Sequence, residues 1–192
     1  MGGECNYLLR AVPSVPGGPA DALAFVPDDE WKSPEMAAWP PAAVAALLDD
    51  AQRVLTDGAA RLRLPVTVVR KERAVGVVPT LPTVYEVLED LAITAQVELA
   101  GSPLPYCAFN GGGDVFVDVG NKSLGLEALK AYLGLTPDGV LHVGDRFTAS
   151  GNDSATRDCC PILWVANPEE TDFFIKLLLQ DVEPPHEGGG GE

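Results

Sequence analysis

The last third of the chain alternates helical and strand-forming segments, and this alternation restricts the fold more than any other feature. Residues 123–133 have helical spacing, residues 140–143 and 162–165 are apolar strand formers, and residues 169–179 are again helical. Strands that alternate with helices usually pair in parallel, with the helices packed on the sheet. We therefore expect an α/β fold of the doubly wound kind in this region.

The preceding region has the pattern of an α+β segment. Apolar side chains recur at helical spacing over residues 44–62 and again over residues 84–95. Residues 66–69 and 74–78 are β-branched runs, which favour two strands. The strings PYCAFNGG and DVFVDVG predict a hairpin across a glycine-rich turn.

These patterns divide the chain into three regions. Residues 1–120 form the α+β segment, with a Pro- and Gly-rich insertion at residues 11–22 that we expect to be a loop. Residues 121–182 form the parallel-sheet piece, and residues 183–192 form a flexible tail. No internal repeat is visible in the sequence.

Charge and composition exclude several classes of function. The net charge of -15 would repel nucleic acid, which proteins bind mainly through Lys and Arg. No stretch of eighteen apolar residues predicts a membrane span, and the first residues lack the pattern of a secretion signal. Four cysteines without CxxC spacing fit free thiols in a reducing compartment, so we expect a cytoplasmic protein. A small phosphorylated ligand would need a metal ion and local cations to reverse the acidic field.

The string LHVGDRFTASGNDSATRDC carries the strongest chemical signal. An apolar strand ends at Asp145, and ligands of open α/β sheets bind at the carboxyl ends of strands. Mg²⁺ prefers one or two protein carboxylates together with phosphate oxygens, and Asp145 with Asp153 could supply them, Asp153 through water or by orienting a neighbour. The structural alternative is that both aspartates cap turns or helix starts.

Lys122 opens the helix in GNKSLGLEALKAYLG, about twenty residues before the strand that ends at Asp145. This helix start resembles the third motif of a phosphatase superfamily, in which a lysine holds the nucleophilic carboxylate and the transferring phosphoryl group electrostatically. The alternative is a solvated lysine at a helix start. A cation at the positive end of a helix dipole is unfavourable unless an anion compensates it, which favours the functional interpretation.

The hairpin turn contains two further candidates. A carboxylate at the position of Asp114 can accept hydrogen bonds from ribose hydroxyls or a purine N–H. Asn110 and the glycines that follow it would let the backbone approach a ligand closely, although the same residues suit an ordinary hairpin turn.

Several strings carry a family resemblance. Gly-Asp followed by Asn-Asp after an apolar strand resembles the fourth signature of the haloacid-dehalogenase (HAD-like) phosphatases, and Lys122 resembles their third. Longer strings narrow this to the IMP-specific 5'-nucleotidase family: GECNYLLR, FVPDDEWKSPEMAAW, RKERAVGVVP, YCAFNGGGDVFVDVGNKSLGL, LHVGDRFTASGNDSATR and ILWVANPEET. The resemblance spans most of residues 2–180 apart from the insertion.

The resemblance implies a partial HAD-like Rossmannoid core at residues 121–182 and a cap at residues 1–120. It implies hydrolysis of inosine monophosphate (IMP) to inosine and phosphate through an aspartyl-phosphate, with Mg²⁺ shared between upstream aspartates and Asp145. Lys122 and Asp114 match positions that contact the nucleotide in this family. ATP as an allosteric effector and a homo-oligomeric full-length protein are further expectations.

The pattern departs from the superfamily at the nucleophile. The first strand of these phosphatases carries Asp-x-Asp, and no Asp-x-Asp occurs in this sequence. We therefore expect the sequence to be the C-terminal part of a longer protein and this part alone to be inactive. Two alternatives stay open, a non-catalytic nucleotide-binding or regulatory module and a broader sugar-phosphate phosphatase.

Overall fold

The computed structural model describes residues 9–13, 23–28 and 33–181. The first elements are strands β1 (Leu9–Pro13) and β2 (Leu23–Pro27), which pair antiparallel. Residues 11–13, which we expected in the loop of the insertion, thus belong to a strand. The rest of the insertion and the tail at residues 183–192 lie outside the described residues.

A four-stranded antiparallel sheet covered by two helices forms the centre of the α+β segment. After the short helix α1 (Pro34–Ala37), the elements follow in the predicted order. They are α2 (Pro41–Arg61), β3 (Val66–Arg70), β4 (Ala74–Pro79), α3 (Tyr85–Glu98), β5 (Tyr106–Asn110) and β6 (Val115–Val119). The strand order in the sheet is β3-β4-β6-β5.

Alternation along β6 explains which face of the sheet is covered. Val115, Val117 and Val119 are fully buried against the two helices, as period-2 side chains on one face should be. The apolar stripes of α2 and α3 pack on this face and supply most of the core. The predicted hairpin is confirmed, with Asn110 opposite Val115 at the turn.

The predicted alternation after residue 120 is also confirmed. Helix α4 (Lys122–Leu133) precedes strand β7 (His142–Gly144), and strand β8 (Ile162–Trp164) precedes helix α5 (Pro168–Asp181). Strands β7 and β8 pair in parallel, with His142 opposite Ile162. Strand β7 begins at His142, two residues later than expected, and a 3-10 turn at Pro137–Gly139 precedes it.

The parallel-sheet piece exposes apolar surface. Helix α5 has no buried residue, although it is amphipathic. Its exposed apolar side chains include Phe173, Leu177, Leu178 and Leu179, and Trp164 of β8 is half exposed. A two-stranded sheet is too small to cover such a helix. No helix within the described ranges has the length and apolar character needed to cross a bilayer.

Candidate functional site

Lys122 and Asp153 form an ion pair at the start of helix α4. The Lys122 ammonium donates to Oδ1 of Asp153 at 2.5 Å, and the Asp153 side chain is only 2% exposed. Asn121 caps the helix by accepting from the backbone N–H of Leu124. The buried carboxylate compensates a cation that the helix dipole would otherwise disfavour. Lys122 is therefore held in place by a buried anion, although its side chain is 32% exposed.

Asp153 also ties this pair to the loop that follows β7. Its second oxygen, Oδ2, accepts from the backbone N–H of Arg146 at 3.0 Å, and the Asp153 N–H donates back to the Arg146 carbonyl. A Cβ on Gly144 would lie 2.6 Å from Oδ2, so the strand must end in glycine for the carboxylate to fit. Asp153 thus links the Lys122 ammonium to the backbone of Arg146, the residue directly after Asp145.

His142 on β7 completes the surroundings of Asp153. Its Nε2 lies 3.4 Å from Oδ1 of Asp153, and its Nδ1 is 2.6 Å from the hydroxyl of Thr156. Burial lowers the pKa of His142, opposed by Asp153 and reinforced by Lys122. A neutral imidazole leaves Lys122 as the cation that balances the buried carboxylate.

Asp145 lies at the carboxyl end of β7, as predicted, and its side chain is 56% exposed. It borders a cavity of about 360 Å³ formed by the ends of β7 and β8 and the start of α5. Among the described residues, the Asp145 carboxylate has one ionic neighbour, Nε of Arg146, at 3.6 Å. Its oxygens therefore face open space at the edge where ligands of parallel sheets bind.

The two aspartates differ in their fit to a magnesium ion. Asp145 offers exposed carboxylate oxygens of the kind that Mg²⁺ binds together with phosphate oxygens. Both oxygens of Asp153 already contact Lys122, His142 or the Arg146 N–H. Among the residues that the structure describes, no three acidic, His or Cys side chains form a ready metal cage. Mg²⁺ commonly binds through one or two carboxylates, with water and phosphate oxygens completing its coordination.

Asp114 lies in the turn between β5 and β6, on the side of the sheet that approaches the Asp145 loop. Burial raises the pKa of its carboxyl, against the lowering influence of Lys71 and Arg146. A Cβ on Gly111 would lie 2.1 Å from Oδ1 of Asp114, so this glycine leaves room for the carboxylate. The structure brings Asp114 and the Asp145 loop to the same junction through the Arg146 side chain.

Asn110 is buried, and its amide is occupied inside the protein. Its Nδ2 donates to the Tyr85 carbonyl at 3.4 Å and to Oε2 of Glu89 at 3.3 Å. Its Oδ1 accepts from the Gly112 N–H at 2.8 Å. With these three hydrogen bonds the Asn110 side chain holds the turn in shape, and a direct contact between Asn110 and a ligand stays a prediction.

Comparison with known proteins decides the family. The family model described as IMP-specific 5'-nucleotidase matches residues 1–175 of the chain. The chain belongs to the IMP-specific 5'-nucleotidase family. The IMP-specific 5'-nucleotidase 1 of Yarrowia lipolytica is 38% identical over 192 residues, which cover 95% of this chain and 44% of that protein. The chain thus spans less than half the length of this curated relative.

Solved structures give the same answer. A structure of N-terminally truncated, IMP-bound IMP-nucleotidase from Plasmodium falciparum is 36% identical, with a TM-score of 0.79 over 93% of this chain and 47% of that one. An ATP-bound structure of the Plasmodium protein has a TM-score of 0.73 at 36% identity, over 94% of this chain and 42% of that one. The predicted fold class, a HAD-like α/β fold with an α+β segment, is confirmed.

Two sets of contacts in this IMP-specific 5'-nucleotidase family chain were missed from the sequence. One is the Arg146 side chain, which reaches from the Asp145 loop to the hairpin turn. Arg146 is part of the GDRF string, but the sequence analysis assigned a role only to the aspartate of that string. The other is a buried junction in which Glu89 of α3 accepts from both Ser150 and Asn110. Glu89 is one of several acidic residues on α3, so its position in the sequence does not predict that it is the one with buried partners.

The buried junction joins the α+β segment to the Asp145 loop. The Asn110 N–H donates to the Ser150 carbonyl at 3.1 Å, beside the Glu89 contacts. Nε2 of Gln96 donates to the carbonyls of Ala108 and Ala149. Satisfied buried polar networks of this kind specify one arrangement. In this family member, the loop between Asp145 and Asp153 is therefore anchored on helix α3 and strand β5.

The raised pKa of Asp114 gives a pH-dependent prediction. Because the native carboxyl keeps its proton to higher pH than the unfolded one, stability falls as pH rises through the window just above the ordinary carboxyl pKa. We expect Asp114→Asn to remove this fall and to leave the thermal midpoint at neutral pH equal or higher. Thermal melts from pH 4 to pH 7 measure it, with exposed Asp138→Asn as control. A large drop in the neutral midpoint would contradict the assignment.

Proposed function

We propose that this chain supplies the cap and the distal half of the active site of a Mg²⁺-dependent nucleotidase that hydrolyses IMP to inosine and phosphate. One observation carries the proposal: the Lys122–Asp153 pair is bonded to the backbone next to Asp145. An ammonium and an exposed carboxylate are thereby held at one strand edge, as phosphoryl transfer requires. The family and the IMP-bound Plasmodium structure support IMP as the substrate.

Lys122 provides the positive charge that holds the phosphoryl group. A positioned cation stabilises the charge that builds up on the phosphoryl oxygens without reorganisation at the moment of reaction. Asp153 acts through Lys122, because its oxygens hold the ammonium and the Arg146 N–H in place. We assign Lys122 to phosphate positioning and Asp153 to the orientation of Lys122.

Asp145 is the residue that would bind Mg²⁺. When bound, Mg²⁺ supplies positive charge next to the phosphate oxygens and so reduces the repulsion from the protein's excess of acidic residues. The Asp145 side chain needs no rearrangement for this role, because its oxygens are already exposed at the cavity. Asp153 contributes indirectly, through the loop that it fixes.

Asp114 is the candidate for nucleoside recognition. Within the described residues the partly buried Asp114 carboxylate accepts no hydrogen bond, and burial raises its pKa. A ribose hydroxyl or a purine N–H would supply the missing donor. We therefore propose that Asp114 accepts from the nucleoside, while Asn110 shapes the turn that presents it.

The isolated chain is proposed to be inactive. The reaction needs an attacking aspartate and a general acid, and the sequence contains no Asp-x-Asp that could supply them. The same observation favours the second candidate function, a module that binds nucleotide without turnover. Release of phosphate from IMP distinguishes the nucleotidase from the binding module.

A chimera tests both candidates. The upstream part of the Yarrowia relative, which the family pattern predicts to carry the nucleophile, is joined before residue 1. We expect the chimera to release phosphate from IMP with Mg²⁺ and the 192-residue chain alone to release none. Phosphate release by the 192-residue chain alone would contradict the proposal that this chain is inactive. A folded chimera that binds IMP without turnover would favour the binding module.

ATP and assembly concern the whole protein. The ATP-bound Plasmodium structure supports ATP as a second nucleotide ligand, and we propose an allosteric effect of ATP together with a cytoplasmic homo-oligomer. Sedimentation velocity of the chimera with and without ATP measures the assembly.

A further inference from the structure

Arg146 combines a fixed backbone with a side chain that spans two parts of the molecule. Its N–H and carbonyl both bond to Asp153, and a Cβ on Gly151 would lie 2.0 Å from that carbonyl. The side chain, 26% exposed, crosses to the hairpin turn and lies over the Tyr85 ring at 5.7 Å. The chain therefore places one guanidinium between the Asp145 loop and the turn that carries Asp114.

The guanidinium uses few of its donors within the described residues. It has five N–H groups, and its one hydrogen bond is to the Gly111 carbonyl at the long distance of 3.5 Å. The contact from Nε to Oδ2 of Asp145, at 3.6 Å, is too long for a hydrogen bond. Within the described residues, none of the Arg146 nitrogens is both buried and without a hydrogen-bond partner, so its remaining donors are open to a ligand oxygen.

Gly112 leaves room for this guanidinium. A Cβ at Gly112 would lie 2.3 Å from a terminal nitrogen of Arg146, and the glycine has a φ of 95° that favours glycine in any case. Gly113, by contrast, has open space around it. The turn is therefore shaped around the Arg146 side chain as well as around Asp114.

We propose that Arg146 binds the 5'-phosphate of the nucleotide, as a second phosphate-binding cation beside Lys122. The inference rests on the proposed function. Arg forms paired hydrogen bonds to phosphate oxygens, and the cation lies next to Asp145, at the phosphate end of the proposed site.

Binding of IMP, inosine and orthophosphate to the 192-residue chain, measured by calorimetry with magnesium, tests this role. We expect Arg146→Met to weaken IMP and orthophosphate about 10- to 100-fold and to leave inosine unchanged, because inosine lacks the phosphate. Arg146→Lys should keep part of the affinity for IMP. Arg53→Met, on an exposed face of α2, is the matched control and should change nothing.

The glycine pair provides a second, independent comparison. Gly112→Ala should displace the guanidinium and weaken IMP and orthophosphate but not inosine, because a loss of inosine would report strain in the turn at φ 95° instead. Gly113→Ala should bind IMP as the unaltered chain does. Circular dichroism checks that both variants fold.

The outcomes separate this inference from the proposed function. Unchanged IMP and orthophosphate binding by Arg146→Met overturns the role of Arg146 and leaves the proposed function standing. An equal loss of inosine and IMP overturns it too, because Arg146 would then read the nucleoside. If the unaltered chain binds neither IMP nor orthophosphate, the inference and the site on which it rests both fail.

Discussion

Lys122→Met is expected to cost both stability and turnover. The substitution leaves the Asp153 carboxylate, 2% exposed, without its cation. Breaking a buried ion pair costs about 3–5 kcal/mol, and the partial exposure of Lys122 favours the lower end, or roughly 6–12 °C in thermal midpoint. In the active chimera, phosphate release from IMP should fall by about 100- to 1,000-fold. Thermal melts and steady-state kinetics measure the two effects.

A double variant separates the two effects of Lys122. Lys122→Met with Asp153→Asn removes the unpaired charge but keeps an acceptor for the Arg146 N–H, so most of the stability should return without the activity. Lys176→Met, which breaks an exposed pair with Asp172, should cost less than about 1 kcal/mol. Recovery of turnover in the double variant would show that Lys122 is only structural.

Asp145→Asn is expected to abolish metal-dependent turnover without loss of stability. The side chain is more than half exposed and makes no hydrogen bond to another side chain or backbone group of the described residues. Its charge is the proposed source of metal affinity, so phosphate release by the chimera should fall at least about 100-fold. Binding of Mn²⁺ to the 192-residue chain, followed by electron paramagnetic resonance, gives a readout that does not depend on catalysis and should weaken in parallel.

The matched control for Asp145 is Asp158→Asn, on an exposed stretch of the same loop region. This variant carries the same change of charge and should leave both Mn²⁺ binding and turnover as they are. Equal Mn²⁺ affinity in Asp145→Asn and the unaltered chain would remove Asp145 from the proposed metal site.

Most of the secondary structure follows from periodicity. The stripe of α2 and the alternation of Val115, Val117 and Val119 identified a helix and a strand, because each element buries one face. The boundaries of β7 and the strand at residues 11–13 were missed. They depend on a 3-10 turn and on pairing with β2, neither of which leaves a periodic pattern in so short a segment.

The candidate site was predictable only where a residue stands in a local pattern. Asp145 and Lys122 could be found because each follows a strand or opens a helix, and such positions have a defined direction. The sequence offered Asp153 as an acid that binds metal through water or orients a neighbour, and in the fold its oxygens contact Lys122 and the Arg146 N–H. Glu89 and Arg146 act across distant segments, so only the folded chain brings their partners together.

Crystals of the 192-residue chain grown with IMP and Mg²⁺ test the central claim most directly. A phosphate oxygen should lie about 3 Å from Nζ of Lys122, and the metal should bind a carboxylate oxygen of Asp145 at about 2.1 Å. A nucleotide that binds with its phosphate away from Lys122, or a metal ion that ignores Asp145, would contradict it.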